Sequence, residues 1–71
     1  MTPRQFTAIR KRLGLSLYAM GLALGYEGNR NTVQVAVKRY ESGDRTLPPW
    51  IARLATMFDR HGVPKDFLPE S

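Results

Sequence analysis

The stretch that decides the fold runs from Ser16 to Gly43 and reads SLYAMGLALGYEGNRNTVQVAVKRYESG. It is typical of two short helices joined by a polar connection. The second helix is predicted from an apolar stripe with the spacing i, i+3, i+4 and i+7, formed by Val33, Ala36, Val37 and Tyr40. Asn31 is its predicted N-cap, because a side-chain oxygen there can accept from the first free backbone N–H groups. Gln34 follows at the capping-box position.

The other side of this predicted helix is hydrophilic. Residues turn by about 100° each around a helix, so Asn31, Val35 and Lys38 face away from the apolar stripe. Three more hydrogen-bonding side chains flank this row. Amide groups, cations and one pair of branched methyl groups suit the edges of base pairs in a DNA major groove. The predicted base contacts are therefore Asn31, Thr32, Gln34, Val35, Lys38 and Arg39.

Helices are also predicted on both sides of the central stretch. The first has Thr2 as its cap, Pro3 in its first turn and Gln5 at the capping-box position, and it ends at Gly14. A proline pair starts the fourth. The predicted helices cover residues 3–13, 17–24, 32–41 and 49–61, and a short turn covers residues 64–68. The expected fold class is all-α: one compact domain of four to five helices over residues 1–71.

The net charge of +5 is concentrated in one half of the chain. Residues 46–71 contain three basic and three acidic side chains, whereas residues 1–45 contain eight basic and three acidic ones. A basic half beside a neutral half indicates a polyanion bound on one side, and a solvated basic surface is the alternative for any single residue. The predicted phosphate contacts are Arg4, Lys11, Arg12, Ser16, Arg30 and Arg45.

Other classes of site find little support in the sequence. The chain has no cysteine and one histidine, His61, so neither a disulfide nor a zinc site is expected, and no cofactor is predicted. A reducing cytoplasm is the expected setting. The longest apolar run, LYAMGLALGY, is too short to cross a membrane. An enzyme is the poorest interpretation, because no nucleophile has a visible base beside it.

The second predicted helix has no charged side chain at all. Tyr18, Ala19, Leu22 and Ala23 occupy the side where a surface helix normally carries polar residues. Either the following loop folds over this side, or the side is an interface with another chain. The second possibility motivates an alternative function, that of a protein-binding adaptor of the antitoxin or anti-activator type that docks its partner on this helix.

The pattern LGLSLYAMGLALGY…VKRYESGDRTLP resembles the lambda-repressor-like helix-turn-helix domains, the Cro and phage-repressor (Xre) family. The match covers about residues 4–60 and depends on the order and spacing of small motifs. The matching positions are Leu13, Gly14, Leu15, Ser16, Met20, Gly21, Leu24, Gly25, Val37, Tyr40, Glu41, Gly43 and Pro48. The resemblance implies a sequence-specific double-stranded DNA-binding transcriptional regulator of a bacterium, phage or mobile element, acting in the cytoplasm as a repressor or switch protein.

The resemblance also implies roles for single residues. Arg10 and Glu41 occupy positions where the family has an ion pair between helices, which fixes the recognition helix. Gln34, Val35 and Arg39 fall where the family reads bases. The role of the ion pair is structural, and removing one partner is expected to cost more than the pair itself contributes.

Two features depart from the family pattern. Leu17 stands where many members have a glutamine, and leucine cannot donate to a phosphate or an adenine. Gly25 and Glu41 are sixteen residues apart, farther than in the usual member. The turn is therefore stretched, or the recognition helix starts earlier, or both. Residues 29–31 become additional candidates for base contacts.

A homodimer is predicted, because one unit of this size reads too few base pairs to be selective. Two units would bind an inverted repeat whose half-sites lie about 34 Å apart, one turn of the duplex. The apolar side chains left for the dimer interface lie in the fourth helix and the tail, at Trp50, Phe58, Phe67 and Leu68.

Overall fold

The computed structural model describes residues 1–69, and all regular structure within them is helical. The elements are α1 (Pro3–Arg12), α2 (Leu17–Ala23), α3 (Arg30–Ser42), α4 (Pro49–His61) and a 3-10 turn (Lys65–Phe67). The Cα radius of gyration is 11.0 Å, which matches the value of about 11 Å expected for a compact domain of this length. The all-α class and the four main helices are thus as the sequence predicts.

The caps of α1 and α2 are also those that the sequence predicts. Thr2 Oγ1 accepts from the backbone N of Gln5 at 3.1 Å, and Gln5 Oε1 accepts from the backbone N of Thr2 at 2.8 Å. Ser16 Oγ accepts from the backbone N of Ala19 at 3.0 Å. These side-chain oxygens satisfy N–H groups that have no partner inside the helix, so each helix starts at a defined residue.

The start of α3 differs from the prediction. The N-cap is Asn29 and not Asn31, because Asn29 Oδ1 accepts from the backbone N of Thr32 at 2.8 Å and the helix begins at Arg30. Asn31 therefore lies in the first turn, and Gln34 is not part of a capping box. The sequence has asparagine at both positions, and local cap preference is the same for both. The connection between α2 and α3 is therefore long, as the spacing of Gly25 and Glu41 indicates, and α3 also starts two residues before the predicted start at residue 32.

One face of each helix contributes to a common core. The buried core residues are Phe6, Ile9, Ala19, Met20, Ala23, Leu24, Val33, Val37, Tyr40, Ile51, Ala55 and Phe58. The rings of Phe6 and Tyr40 meet edge to face, with their centroids 6.0 Å apart. Where α2 crosses α3, a Cβ on Gly21 would overlap the side chain of Val33 and lie 3.3 Å from its carbonyl oxygen. The missing side chain of Gly21 thus lets the two helices come close.

The uncharged side of α2 is partly covered within the chain. Ala19 and Ala23 are buried, and the guanidinium carbon of Arg30 lies 4.2 Å from the centroid of the Tyr18 ring. Leu22 is partly buried and shares a cleft with the C-terminal turn. Part of the cover comes from Arg30 at the start of α3. Tyr18 and Leu22 remain partly exposed, so a reduced apolar surface is left on this side of α2.

Candidate nucleic-acid interface

The outward side of α3 keeps the six predicted base-contact residues accessible. Four of them are exposed and two are partly buried: Asn31, Thr32, Lys38 and Arg39, then Gln34 and Val35. The residues of α3 that are buried form the opposite side: Val33, Val37 and Tyr40. The ion pairs formed within residues 1–69 are Arg10–Glu41 and Arg12–Asp59. Both cations of the outward side are therefore free to meet an anionic or hydrogen-bonding ligand.

A recess of about 350 Å³ follows one edge of this outward side. The recess lies between α3 and residues on either side of it in the chain, and its lining is Tyr26, Glu27, Asn31, Thr32, Val33, Val35, Ala36, Arg39 and Arg45. The valines and Ala36 are its more buried members, and the polar side chains other than Tyr26 are exposed. Four of the six predicted base contacts thus share one concave surface with an apolar interior and a polar rim.

A pair of tyrosines links the connection between α2 and α3 to α3 itself. The hydroxyl groups of Tyr26 and Tyr40 share a hydrogen bond of 2.5 Å, and their ring centroids are 6.3 Å apart. Burial, and then the hydrogen bond with Tyr40, raises the pKa of Tyr26 to about 12, and the nearby Arg45 opposes the rise. The guanidinium carbon of Arg45 lies 5.9 Å from the centroid of the Tyr40 ring. These contacts give the long connection a fixed position beside α3.

An ion pair braces the C-terminal half of α3. Arg10 Nε lies 2.6 Å from Glu41 Oε2, and Arg10 Nη2 donates to Glu41 Oε1 at 3.2 Å. Arg10 Nη1 also donates to the carbonyl oxygen of Leu15 at 3.0 Å. The two charged side chains are only 16% and 13% exposed. The pair that the resemblance implied is present, and its guanidinium joins α1, the turn before α2, and α3.

The predicted phosphate contacts of α1 are not all free. Arg4 and Lys11 are exposed and take part in neither of the ion pairs of residues 1–69. Arg12 is exposed as well, but its Nε and Nη2 donate to the two carboxylate oxygens of Asp59 at 3.1 and 2.9 Å. The hydrogen bond with Arg12 also holds the pKa of Asp59 below its ordinary value. The charge of Arg12 is thus partly offset by an exposed ion pair, and its phosphate contact stays a prediction.

The other three predicted phosphate contacts lie near the ends of α2 and α3. Ser16 Oγ accepts from the backbone as a helix cap, so only its O–H remains as a donor. Arg30 and Arg45 are exposed, and each guanidinium lies over a tyrosine ring. A stacked guanidinium keeps its charge and its N–H donors, while its position is restricted by the ring.

The predicted dimer residues fall into two groups. Phe58 is buried in the core and is met edge to face by Phe67, with their centroids 6.1 Å apart, so the prediction for Phe58 is corrected to a core role. Leu68 is partly buried against the core. Trp50 and Phe67 remain exposed, by 58% and 41%. They lie near opposite ends of α4, since Phe67 packs on the C-terminal half of that helix.

Sequence reasoning missed Asn29 as a cap and missed Tyr26 and Glu27 as parts of the recess. A signal existed for Tyr26: it follows Gly25 at the end of a helix, a position whose apolar side chain commonly packs back onto that helix. Glu27 carries no comparable signal, because its location depends on the path of the whole connection.

In the described part of the chain, no three histidine, aspartate or glutamate side chains are grouped so that they could hold a metal ion. No helix there is both long enough and apolar enough to cross a membrane. Comparisons of the chain with protein-family models, with curated proteins and with solved structures found no match. Function is therefore inferred from the geometry of α3 and its surroundings.

Proposed function

We propose that this chain is a sequence-specific binder of double-stranded DNA that regulates transcription as a repressor or switch protein. In this proposal α2 and α3 form a helix-turn-helix, and α3 inserts into the major groove. The observation that carries the proposal is the outward side of α3, where polar and cationic side chains are accessible while the apolar side chains of the same helix fill the core. The family resemblance over about residues 4–60 supports the same function.

The outward side chains of α3 supply groups that distinguish base pairs. Gln34 would bond to an adenine, Arg39 or Lys38 would donate to a guanine, and the methyl groups of Val35 would contact a thymine methyl. Each such contact is worth about 1–3 kcal/mol of discrimination against the wrong base.

Glu27 adds a carboxylate to this surface. It is exposed, lines the recess beside the base-contact residues, and has no ion-pair partner within residues 1–69. A carboxylate is repelled by phosphates, but it accepts well from the N4 amino group of cytosine. In the proposed complex Glu27 reads a cytosine, so the long connection is a second reading element beside α3.

Cations around α3 would provide the sequence-independent part of the affinity. Arg4, Lys11, Arg30 and Arg45 would neutralise phosphates and release counterions. The tyrosine rings under Arg30 and Arg45 restrict both guanidinium groups before DNA arrives. Less side-chain freedom is then lost on binding, which favours affinity.

Two chains would bind one inverted repeat, with half-sites about 34 Å apart. We place the dimer contact at Phe67, which shares a cleft of about 380 Å³ with Leu22 and Leu68. Light scattering of the chain with its operator duplex should give two chains per duplex.

A gel-shift titration with DNA from beside the gene, followed by selection from random duplexes, tests the proposed function. Val35→Ala should relax the preference at one base position, and Glu27→Gln should relax it at another. Lys11→Ala should weaken binding to all DNA sequences alike and reduce the slope of log affinity against log salt by about one unit. Indifference of the unaltered chain to DNA sequence would refute the proposal.

The adaptor alternative stays a prediction. Its apolar surface on α2 is smaller than the sequence indicates, because Ala19 and Ala23 are buried and Arg30 lies over Tyr18, while Leu22 remains partly exposed.

A further inference from the structure

The outer side of α4 carries exposed apolar side chains next to arginines. Trp50 is 58% exposed and Met57 is 54% exposed. They are seven residues apart and therefore lie on the same side of the helix. Arg53 and Arg60 are exposed as well and form a parallel row with the same spacing. These four residues, together with Met1, are called the α4 surface here.

A groove of about 390 Å³ follows the α4 surface. It is lined by Met1, Ala52, Arg53, Thr56, Met57 and Arg60. Met1 is itself 43% exposed. A contiguous group of exposed apolar side chains on a small domain often marks an interaction site. A single partner can cover all of them at once, and removing their apolar area from water stabilises the complex.

The α4 surface is positively charged. No carboxylate belongs to the lining of the groove. Asp59 of α4 is turned towards α1, where Arg12 Nη2 lies 2.9 Å from its Oδ2. Neither Arg53 nor Arg60 takes part in the ion pairs formed within residues 1–69. An occupant of the groove would therefore meet two guanidinium groups that lie outside both of these ion pairs, of which Arg60 also lies near enough to Asp59 to help lower its pKa.

We propose that the α4 surface is a docking site for an acidic amphipathic segment of another protein. Apolar side chains of that segment would fill the groove beside Met57 and extend along α4 to Trp50, which lies outside the groove lining. Carboxylates of the segment would meet Arg53 and Arg60. Tryptophan, methionine and arginine are the residue types enriched in protein interfaces. A helix with an apolar stripe between acidic residues has the matching pattern.

Charge and apolarity together favour this occupant over two others. A second copy docked through the same surface would bring two more arginines and no carboxylate from the groove lining, so the two surfaces would not be complementary in charge. A nucleic acid would satisfy the arginines, but its backbone offers no apolar partner to Met57.

The test uses fluorescence, because Trp50 is the only tryptophan of the chain and lies on the α4 surface. The probe is a synthetic helical peptide without tryptophan, with leucines at i, i+3, i+4 and i+7 and glutamates on both flanks. Titrated into the full chain without DNA, it should shift the Trp50 emission to the blue and saturate. The same residues in scrambled order, or lysines in place of the glutamates, should give no shift.

Charge variants locate the binding site. Arg53→Gln combined with Arg60→Gln should weaken peptide binding by about tenfold or more, since losing about 1.4 kcal/mol of interaction already gives a factor of ten. Arg4→Gln combined with Lys11→Gln removes the same charge from α1 and should leave peptide binding unchanged. All four positions are exposed, so both variants should keep the helical circular dichroism of the wild type.

Several outcomes would overturn the proposal. The acidic peptide could give no shift, or the lysine peptide could give the same shift. A blue shift that grows with protein concentration alone would assign the surface to a second copy. A blue shift on adding a random-sequence duplex would assign it to nucleic acid. None of these measurements requires operator recognition, so this inference and the proposed DNA-binding function can fail separately.

Discussion

Two connections of the chain begin in the same way and end differently. The first joins α1 to α2 at residues 13–16, and the second joins α2 to α3 at residues 24–29. In each, a glycine with positive φ stops the preceding helix, Gly14 at +71° and Gly25 at +98°, and the second connection contains a further one, Gly28 at +123°. At both stops, the N–H of the glycine and the N–H of the next residue donate into the last turn of the helix at 3.0 to 3.2 Å. This is the Schellman pattern, which stops a helix at a defined residue.

The difference lies in how the next helix starts. After the first stop, Ser16 is the only nearby residue that can cap, and α2 follows at once. After the second stop, Asn29 and Asn31 are both able to cap, and α3 begins from the earlier one. A helix end is therefore encoded locally in both cases. The next start is encoded locally only where one candidate cap exists.

The largest loss of stability is expected from Arg10→Met. This substitution removes the guanidinium that links the carbonyl of Leu15 in the first connection to Glu41 of α3. It leaves Glu41 charged and mostly buried without its partner, so the free energy of unfolding should fall by about 3 kcal/mol in urea unfolding. Arg12→Met is the matched control, because the Arg12–Asp59 pair is exposed and its loss should change stability far less.

Replacing Glu41 as well should sharpen this result. The double variant Arg10→Met, Glu41→Leu removes both buried charges and should recover part of the lost stability. A fall with Arg10→Met no larger than the fall with Arg12→Met would show that the pair does not brace α3.

A smaller loss is expected from Gly21→Ala, which pushes α2 away from α3 where the second connection must span them. The new methyl group would overlap Val33, so stability should fall by about 1–3 kcal/mol despite the better helix propensity of alanine. In a Val33→Ala background the same substitution should cost less, and a double-mutant cycle by urea unfolding measures the difference. Equal costs in both backgrounds would mean that this contact does not set the distance between the helices.

Tyr26→Phe tests whether the tyrosine pair holds the second connection. Loss of the hydrogen bond to Tyr40 should lower stability by about 1 kcal/mol. The folded chain favours the protonated phenol, whose pKa is raised from 10.0 to about 12. The stability that this group contributes is therefore complete below pH 10 and is lost as the pH rises through 12.

The pH dependence separates this pair from other phenols. In Tyr26→Phe, the part of the stability loss between pH 10 and pH 12 that comes from Tyr26 should vanish. Tyr18→Phe removes a phenol outside the pair and should retain that loss. Unfolding curves measured across this range would contradict the assignment if the two variants behaved alike.

The sequence predicts those parts of the structure whose signals lie within one helical turn. The caps at Thr2 and Ser16, the stops at Gly14 and Gly25, and the apolar stripes of the helices all belong to this class. The path of the second connection does not, because it depends on contacts such as that between Tyr26 and Tyr40, which are distant in sequence. The candidate interface is likewise predicted only where its signals lie within one helical turn.

For the candidate interface, helical periodicity correctly separates the outward residues of α3 from the buried ones. It could not locate Glu27, whose place in the recess follows from the connection. It also could not foresee that Asp59 pairs with Arg12, since the two residues are 47 positions apart. Phe58 satisfied the apolar pattern of a core residue and of an interface residue equally well, and its burial in the core, where Phe67 packs on it, distinguishes the two.

The smallest effect, and the sharpest test of the comparison, comes from the two asparagines. Asn29→Ala should lower stability by about 1 kcal/mol, because the N–H of Thr32 loses its acceptor. Asn31→Ala lies in an exposed first turn and should change stability by less than about 0.5 kcal/mol. DNA binding should respond in the opposite order: Asn31→Ala should alter the base preference found by selection, and Asn29→Ala should leave that preference intact. If Asn31→Ala were the more destabilising of the two, α3 would start at the later asparagine in solution. The second connection would then be two residues longer, and the contacts of Arg30 and Tyr26 would no longer explain where the helix begins.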